Sequence, residues 1–227
     1  MLKGKKALLL DMNNTFMFGE DRFGENEDYS IHYKAISGDL SRVEINELIA
    51  KVFKYLNDRY SAEEYRHSFP SLEETVIKLT QNSLSQAAVN KVVETFSFHE
   101  HGHIPQEYVN ALKTLKEKYI LALVVDIWSP KEMWINTFKE LGINNLFSAS
   151  SFSSDHGIVK PSPKPFEMVI NELTIPKQEC LVIGDSIRRD LGGAVSAGVD
   201  CVLVGAAHDT KAIDHYSSLL EFCNTIL

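Results

Sequence analysis

Four stretches of the chain are apolar without interruption, and each stops at an acidic residue or a glycine. Ala7–Leu10 ends at Asp11, Ile120–Val125 ends at Asp126, residues 180–183 end at Gly184-Asp185, and residues 201–204 end at Gly205. A short apolar run bounded by turn formers predicts a strand buried on both faces. Between these runs the apolar positions take helical spacing. Residues 106–118 place Tyr108, Val109, Leu112 and Leu115 on one helix face. Residues 130–141 predict a helix with Ser129 as N-cap, Pro130 at the first helical position and Gly142 as the stop. Residues 165–173 and 190–197 predict shorter helices, the second ended by Gly198. Strand and helix in alternation imply an α/β fold with a doubly wound parallel sheet and right-handed crossovers.

The segment 18–97 breaks this alternation, because it holds no comparable apolar run. Residues 41–60, Leu72–Leu79 and 85–96 predict helices separated by polar turns, and Ser41 with Glu44 fits a capping box. The expected organisation is an α/β core from residues 1–17 and 98–227, with a helical cap, 18–97, inserted after the first strand. Residues 16–24 and 99–105 would be the two connections, and 216–222 a short closing helix. No internal repeat or low-complexity tract is present.

The chain has 227 residues and a formal net charge of −8. That balance, without a Lys/Arg-rich run, argues against a nucleic-acid surface. No apolar run approaches the ~20 residues that span a bilayer. The start, Met1-Leu2-Lys3-Gly4-Lys5-Lys6, is basic like a signal peptide, but the apolar stretch behind it is too short for the hydrophobic region. Three cysteines, Cys180, Cys201 and Cys223, suit core positions in a reducing compartment, so a cytoplasmic location is expected.

Ligands of an open parallel sheet bind beyond the carboxyl ends of the strands. Asp11, Asp126 and Asp185 end three of the predicted strands. Carboxylates gathered there need positive charge, which a divalent cation such as Mg²⁺ or a lysine can supply. Lys160 is the candidate lysine, in the loop Gly157-Ile158-Val159-Lys160-Pro161.

The order of these features resembles the haloacid dehalogenase-like hydrolase superfamily over nearly the whole chain. Its first motif, Asp-x-Asp-x-Thr/Val after a strand, is matched by Asp11-Met12-Asn13-Asn14-Thr15. Its Lys-Pro motif is matched by Lys160-Pro161-Ser162-Pro163, and its Gly-Asp-x-x-x-x-Asp motif by Gly184-Asp185-Ser186-Ile187-Arg188-Arg189-Asp190. The following Ala194, Ala197, Gly198 and Val199 also fit the pattern. The resemblance implies a Rossmann-like core and a phosphatase acting on a small phosphate ester. Asp11 would be the nucleophile, forming an aspartyl phosphate. Mg²⁺ would be held by Asp11, the main-chain carbonyl of Asn13 and Asp185, with Asp190 holding Lys160 or a metal-bound water. Lys160 would offset the charge of Asp11 and the phosphate, and the cap would close over the substrate. The implied partner is a small phosphorylated molecule, with no nucleic acid and no membrane, and the protein a monomer or homodimer.

Two departures change the picture. The motif's second Asp, the proton carrier of the phosphatases, is Asn13. Losing general acid–base help typically costs ~10²–10⁴-fold, so turnover would survive but slowly. The Ser/Thr of the second motif is also missing, since Val125 or Asp126 occupies the strand end. Ser129 or the main-chain amides near Ile127 are then the expected phosphate-binding groups, beside Asp126 and Lys160. A metal-free haloacid dehalogenase would explain Asn13, because halide leaves unprotonated, whereas Gly184-Asp185 favours a metal site. A catalytically weak member that binds a phosphorylated ligand or a protein partner is the third reading. Plainer expectations stand beside these: Asn14 as a turn residue with positive φ, Asp126 and Ser129 as turn or cap residues, Arg188 and Arg189 as a solvated helix start, and Arg59, Tyr60, Tyr65 and Arg66 as packing and surface residues. The cluster His99-Glu100-His101-Gly102-His103 is expected to be a connection rather than a metal site.

Overall fold

Ala7–Leu10 (β1) is wholly buried and lies in the middle of the sheet, paired in parallel with Ile120–Val125 (β2) on one side and Cys180–Gly184 (β4) on the other. Phe147–Phe152 (β3), Asp200–Val204 (β5) and Asp214–Tyr216 (β6) complete a parallel sheet of order β3-β2-β1-β4-β5-β6. The computed structural model describes residues 2–226.

The four predicted strands are present, and their apolar runs divide by alternation between two cores. Leu8, Leu10, Leu121, Leu123, Leu181 and Ile183 face one layer, built by Gln106–Lys116 (α5), Glu132–Glu140 (α6) and Leu219–Ile226 (α10). Ala7, Leu9, Ala122, Val124, Cys180 and Val182 face the other, covered by Lys164–Leu173 (α8) and Gly192–Ala197 (α9), with the short helix Ser153–His156 (α7) between β3 and α8. Both faces being covered is why the runs are continuous. The sequence pattern did not predict β3 or β6. Both are edge strands, and β3 reads Phe-Ser-Ala-Ser-Ser-Phe, too polar to register as an apolar run.

Residues 30–100 contain four helices: Ser30–Ala35 (α1), Arg42–Tyr60 (α2), Leu72–Leu79 (α3) and Gln86–Glu100 (α4). They enclose a third core of Tyr33, Ile45, Ile49, Val52, Leu56, Val92 and Phe96. The capping box of Ser41 and Glu44 is formed as expected. Helix α4 runs on to Glu100, so the return connection starts later than the pattern suggested. The chain leaves and re-enters the sheet side by side: Phe18 and His103 exchange backbone hydrogen bonds of 2.9 and 2.8 Å, and the Arg22 amide donates to the His99 carbonyl at 2.9 Å. Gly102 permits this approach, since a Cβ there would lie 2.7 Å from the Phe18 carbonyl oxygen.

Three local expectations are corrected. Helix α6 starts at Glu132 with Lys131 in the cap position, so Ser129 is not its N-cap. The stretch 190–197 is a π-helical turn, Ile187–Leu191, followed by α9. The tail forms β6 and then α10 rather than one helix over 216–222.

The central position of β1 makes its side chains the least replaceable in the sheet. Leu9→Ala removes fully buried volume between β2 and β4. It is expected to cost about 2–5 kcal/mol, read as a lowered urea midpoint.

Candidate active site

The strand order reverses on either side of β1, and loops leaving β1, β2 and β4 splay apart at their carboxyl ends. A cavity of about 210 Å³ opens there. Asp11, Asn13, Asp126, Lys160, Asp185 and Asp190 all line it, so six of the seven predicted site residues come together. Ser129, the seventh, does not line it. A larger cleft of about 520 Å³ between Phe69 and His156 holds none of these carboxylates.

Lys160 organises the group. Its Nζ donates to Asp11 Oδ1 at 2.6 Å, to Asp190 Oδ1 at 2.7 Å and to the Val124 carbonyl at 3.1 Å. These bonds account for all three ammonium protons. Lys160, Asp11 and Asp190 are 2%, 6% and 1% exposed, so the charges face each other in a dry setting. Thr15 Oγ1 donates to Asp11 Oδ2 at 3.2 Å, and the Ser186 amide donates to Asp190 Oδ2 at 3.0 Å. Gly184 allows Asp190 to fold back, because a Cβ would sit 2.3 Å from its carboxyl carbon.

Burial opposes the charge on Lys160, but Asp11, Asp190 and Asp126 outweigh it and hold its pKa above the usual lysine range. Burial raises Asp11 above the usual carboxylate range. Lys160 pulls it back, and Asp190 and Asp185 push it up again. Burial and then Asp190 push Asp185 up to about 6. One lysine is therefore too little positive charge for three carboxylates. Among the described residues, Asp11, Asp185 and Asp190 are the metal-ligand type side chains that bring ligand atoms within 4.8 Å of one another. Beside them Asn13 Oδ1 is buried with no hydrogen-bond partner. Hard oxygen donors with surplus negative charge are what Mg²⁺ binds, so the residues fit such an ion.

The other wall differs from expectation. Val125 packs into the core, and no hydroxyl takes its place at the end of β2. Asp126 faces the cavity instead, accepting from the Tyr60 hydroxyl at 2.9 Å and from the Lys160 amide at 3.0 Å. Arg189 lies over the Tyr60 ring, 3.2 Å from its centroid, with Nη1 3.9 Å from Asp126. Tyr60 and Arg189 thus line the cavity, Tyr60 while also packing edge-on against Phe69 and Trp128 as expected. The expectation did not place them at the cavity because a helix end does not reveal its facing. Arg188 instead donates to the Ser61 carbonyl at 2.6 Å and ties the insert to the sheet. Burial raises Tyr60 well above the usual phenol range, with Asp126 adding to it, so the phenol keeps its proton and donates.

Ser129 lies in a different network. Glu100, at the end of α4, accepts from the Trp128 amide at 2.6 Å and the Ser129 amide at 2.9 Å. The amides expected to bind phosphate are therefore occupied by a carboxylate of the protein, and Ser129 Oγ is buried without a partner. His99 packs edge-on against Tyr29, and His101 Nε2 lies 3.0 Å from Thr137 Oγ1, so the histidines of this connection point into separate surroundings.

A family model described as haloacid dehalogenase-like hydrolase matches residues 41–204, more than half of the chain. The chain belongs to this family. Asp11 and Asn13 lie outside the matched span, so what ties them to the family's first motif here is their place beside Lys160 and Asp185. A curated relative, pyrophosphatase PpaX of Halalkalibacterium halodurans, is 30% identical over 174 residues, covering 73% of this chain and 79% of its own. Glyceraldehyde 3-phosphate phosphatase of Pyrococcus furiosus is 25% identical over 99 residues, covering 44% of this chain and 40% of its own. Among solved structures, a HAD phosphatase from Thermococcus onnurineus matches with a TM-score of 0.64 and 21% identity over 97% of both chains. A 2-haloacid dehalogenase from Pseudomonas syringae pv. tomato matches with a TM-score of 0.66 and 16% identity, again over 97% of both chains. These two share the haloacid dehalogenase-like fold. With the curated relatives, the comparisons support an enzyme and a phosphatase.

The buried acids set a pH dependence. Burial, then Asp21, pushes Glu100 up to about 7, and Asp185 stands at about 6. An acid whose folded pKa exceeds its unfolded value stabilises the fold below the unfolded pKa, and that stability is lost as pH rises through the folded one. His101, lowered to about 4 by burial and Arg22, works the other way, adding stability as pH rises to its unfolded value of 6.5. Above pH 6.5 the carboxyls dominate. The metal-free protein is expected to lose melting temperature between about pH 6.5 and 7.5, and Glu100→Gln to flatten that loss, as scanning calorimetry would show.

Proposed function

We propose that the protein is a Mg²⁺-dependent phosphatase that hydrolyses a small phosphorylated molecule through a phosphorylated Asp11. The observation that carries this is the arrangement of Asp11 between Lys160 and Asp185: a nucleophilic carboxylate with a fixed ammonium on one oxygen and an unpaired carboxylate close by. Asp11 and Asp185, with the backbone at Asn13, would hold the cation, which supplies Lewis-acid polarisation of the phosphoryl group. Asp190 belongs to this set through its proximity, but its hydrogen bonds to Lys160 and the Ser186 amide make positioning of the lysine its first task.

The chain's own groups do the rest. Asp11 Oδ attacks phosphorus, and Lys160 stays protonated throughout, offsetting charge on Asp11 and the phosphoryl oxygens. Arg189, within the same cavity, supplies the second positive charge where the family's hydroxyl is missing. The helical insert, residues 18–97, acts as a cap: Tyr60 reaches from α2 to Asp126 and closes the cavity over the substrate. Asn13 can accept or donate a hydrogen bond but cannot transfer a proton, so position 13 gives the leaving group no help. The dehalogenase reading accounts for Asn13 but leaves Asp185 without a role.

The test is hydrolysis of para-nitrophenyl phosphate, whose leaving group needs no proton. Turnover is expected with Mg²⁺, to vanish with EDTA and to return when Mg²⁺ is restored. Asp11→Asn is expected to abolish it, and Lys160→Met to reduce it by about 10²-fold or more. Turnover that persists in Asp11→Asn, or that ignores EDTA, rejects this function.

A further inference from the structure

Asn13 leaves open how a proton reaches the leaving group and how one is taken from water. Most carboxyls of the cavity are committed. Asp11 and Asp190 are held by Lys160, and Asp126 by Tyr60 and the Lys160 amide. Asp185 is assigned to the cation. Asp21 is different. It lines the same cavity as Asp11 and Asn13, and among the described residues its carboxylate takes no hydrogen bond or ion pair.

The backbone fixes Asp21 in place. It holds φ at 56°, a left-handed conformation that Asp tolerates better than most residues and that often marks functional positions. Its amide donates to the Glu100 carbonyl at 3.3 Å. Its neighbour Glu20 accepts from the Asn14 amide at 3.1 Å, which pins the segment over the loop that follows β1. Phe18 and His103 clamp the other side. A carboxyl without a protein partner, on a segment held by these bonds and lining the same small cavity as Asp11, is placed where a general acid–base is needed. Asp21 is open to the cavity's water, yet the protein around it and Glu20 push its pKa up to about 6, so both protonation states are accessible near neutrality.

We propose that Asp21 is the proton carrier of this site, replacing the aspartate that Asn13 lacks. This rests on the phosphatase reading above. In the first step an Asp11 oxygen bonds to phosphorus and the bond from phosphorus to the leaving oxygen breaks. That oxygen takes the electron pair and the Asp21 proton and departs as an alcohol. In the second step water bonds to phosphorus and its proton returns to Asp21. The bond between phosphorus and the Asp11 oxygen breaks, its electrons restore the carboxylate, and inorganic phosphate leaves.

The experiment measures kcat/KM with Mg²⁺ for aryl phosphates of graded leaving-group acidity, from para-nitrophenyl to phenyl to para-methoxyphenyl phosphate. Wild type, Asp21→Asn and the double variant Asp21→Asn with Asn13→Asp are compared. A carrier that protonates the leaving oxygen keeps the dependence on acidity shallow. Asp21→Asn is expected to keep para-nitrophenyl phosphate within about tenfold of wild type but to lose about 10²-fold or more on para-methoxyphenyl phosphate. Asn13→Asp in that background is expected to restore the shallow dependence, which a misfolded or merely repositioned site would not do. Equal losses on all three substrates, or a wild-type dependence already as steep as that of Asp21→Asn, overturn the proposal. The phosphatase reading itself fails separately, through wild-type hydrolysis that does not require Asp11.

Discussion

The ammonium of Lys160 spends its three protons on Asp11, Asp190 and the Val124 carbonyl, each within 3.1 Å, and almost no water reaches it. Three strands and a loop meet at this one charge. Asp11 ends β1, Val124 lies within β2, and Asp190 follows β4, while Lys160 arrives from the segment between β3 and α8. Removing one member of such a buried group strands the others and typically costs about 3–5 kcal/mol. The carboxyl edge of the sheet is therefore held by charge where the rest of it is held by apolar packing. The same bonds fix the orientation of Asp11 and keep Asp190 turned toward the lysine. On the proposed reading stability and reactivity share a residue here, and a site of this kind tolerates few repairs.

The insert is tied to that charge cluster through polar contacts. Tyr60 bonds Asp126, Arg189 lies on Tyr60, and Arg188 reaches the Ser61 carbonyl. Asp126 also takes the amide of Lys160, so the end of α2 is two hydrogen bonds from the lysine. At the return connection, Glu100 fastens the end of α4 to the loop after β2. Polar contacts of this kind can be exchanged with water or a ligand at low net cost, although Trp128 and Val159 from the sheet side also pack into the apolar core of the insert. An anionic substrate entering beside Asp126 would compete for the groups that hold the insert down. Closure and binding would then draw on the same donors.

Much of this was legible in the sequence where one residue type had one physical meaning. Apolar runs ending in Asp located β1, β2 and β4 and the edge where ligands bind, and Lys160 was the cation such an edge required. The misreadings have particular causes. Ser129-Pro130 looks like the start of a helix, but Glu100, twenty-nine residues earlier in the chain, satisfies the Ser129 amide and the helix begins later. Tyr60 and Arg189 looked like surface residues because helix periodicity does not say what a terminal side chain faces. Asp21 lies in a connection with no period at all, and only the folded chain shows it lining the same cavity as Asn13. The strand β3 escaped because an edge strand can afford serine at three of its six positions, Ser148, Ser150 and Ser151.

On the proposed phosphatase reading, two departures from the family's motifs act together. Val125 or Asp126 would stand where a hydroxyl binds phosphate and Asn13 where a proton carrier stands, and each would be matched by a group from outside the expected positions. Arg189 and the Tyr60 hydroxyl face the cavity where the hydroxyl is gone, and Asp21 faces it where the carboxyl is gone. Arg189 follows β4, Tyr60 comes from the end of α2, and Asp21 comes from the irregular connection that leads into the helices of the insert. A site whose missing parts are replaced from the connection and the insert would depend on the insert's position more than one whose parts all sit on strand ends. On that reading its chemistry would be complete only with the helical layer against the sheet, which would couple closure to proton transfer as well as to binding.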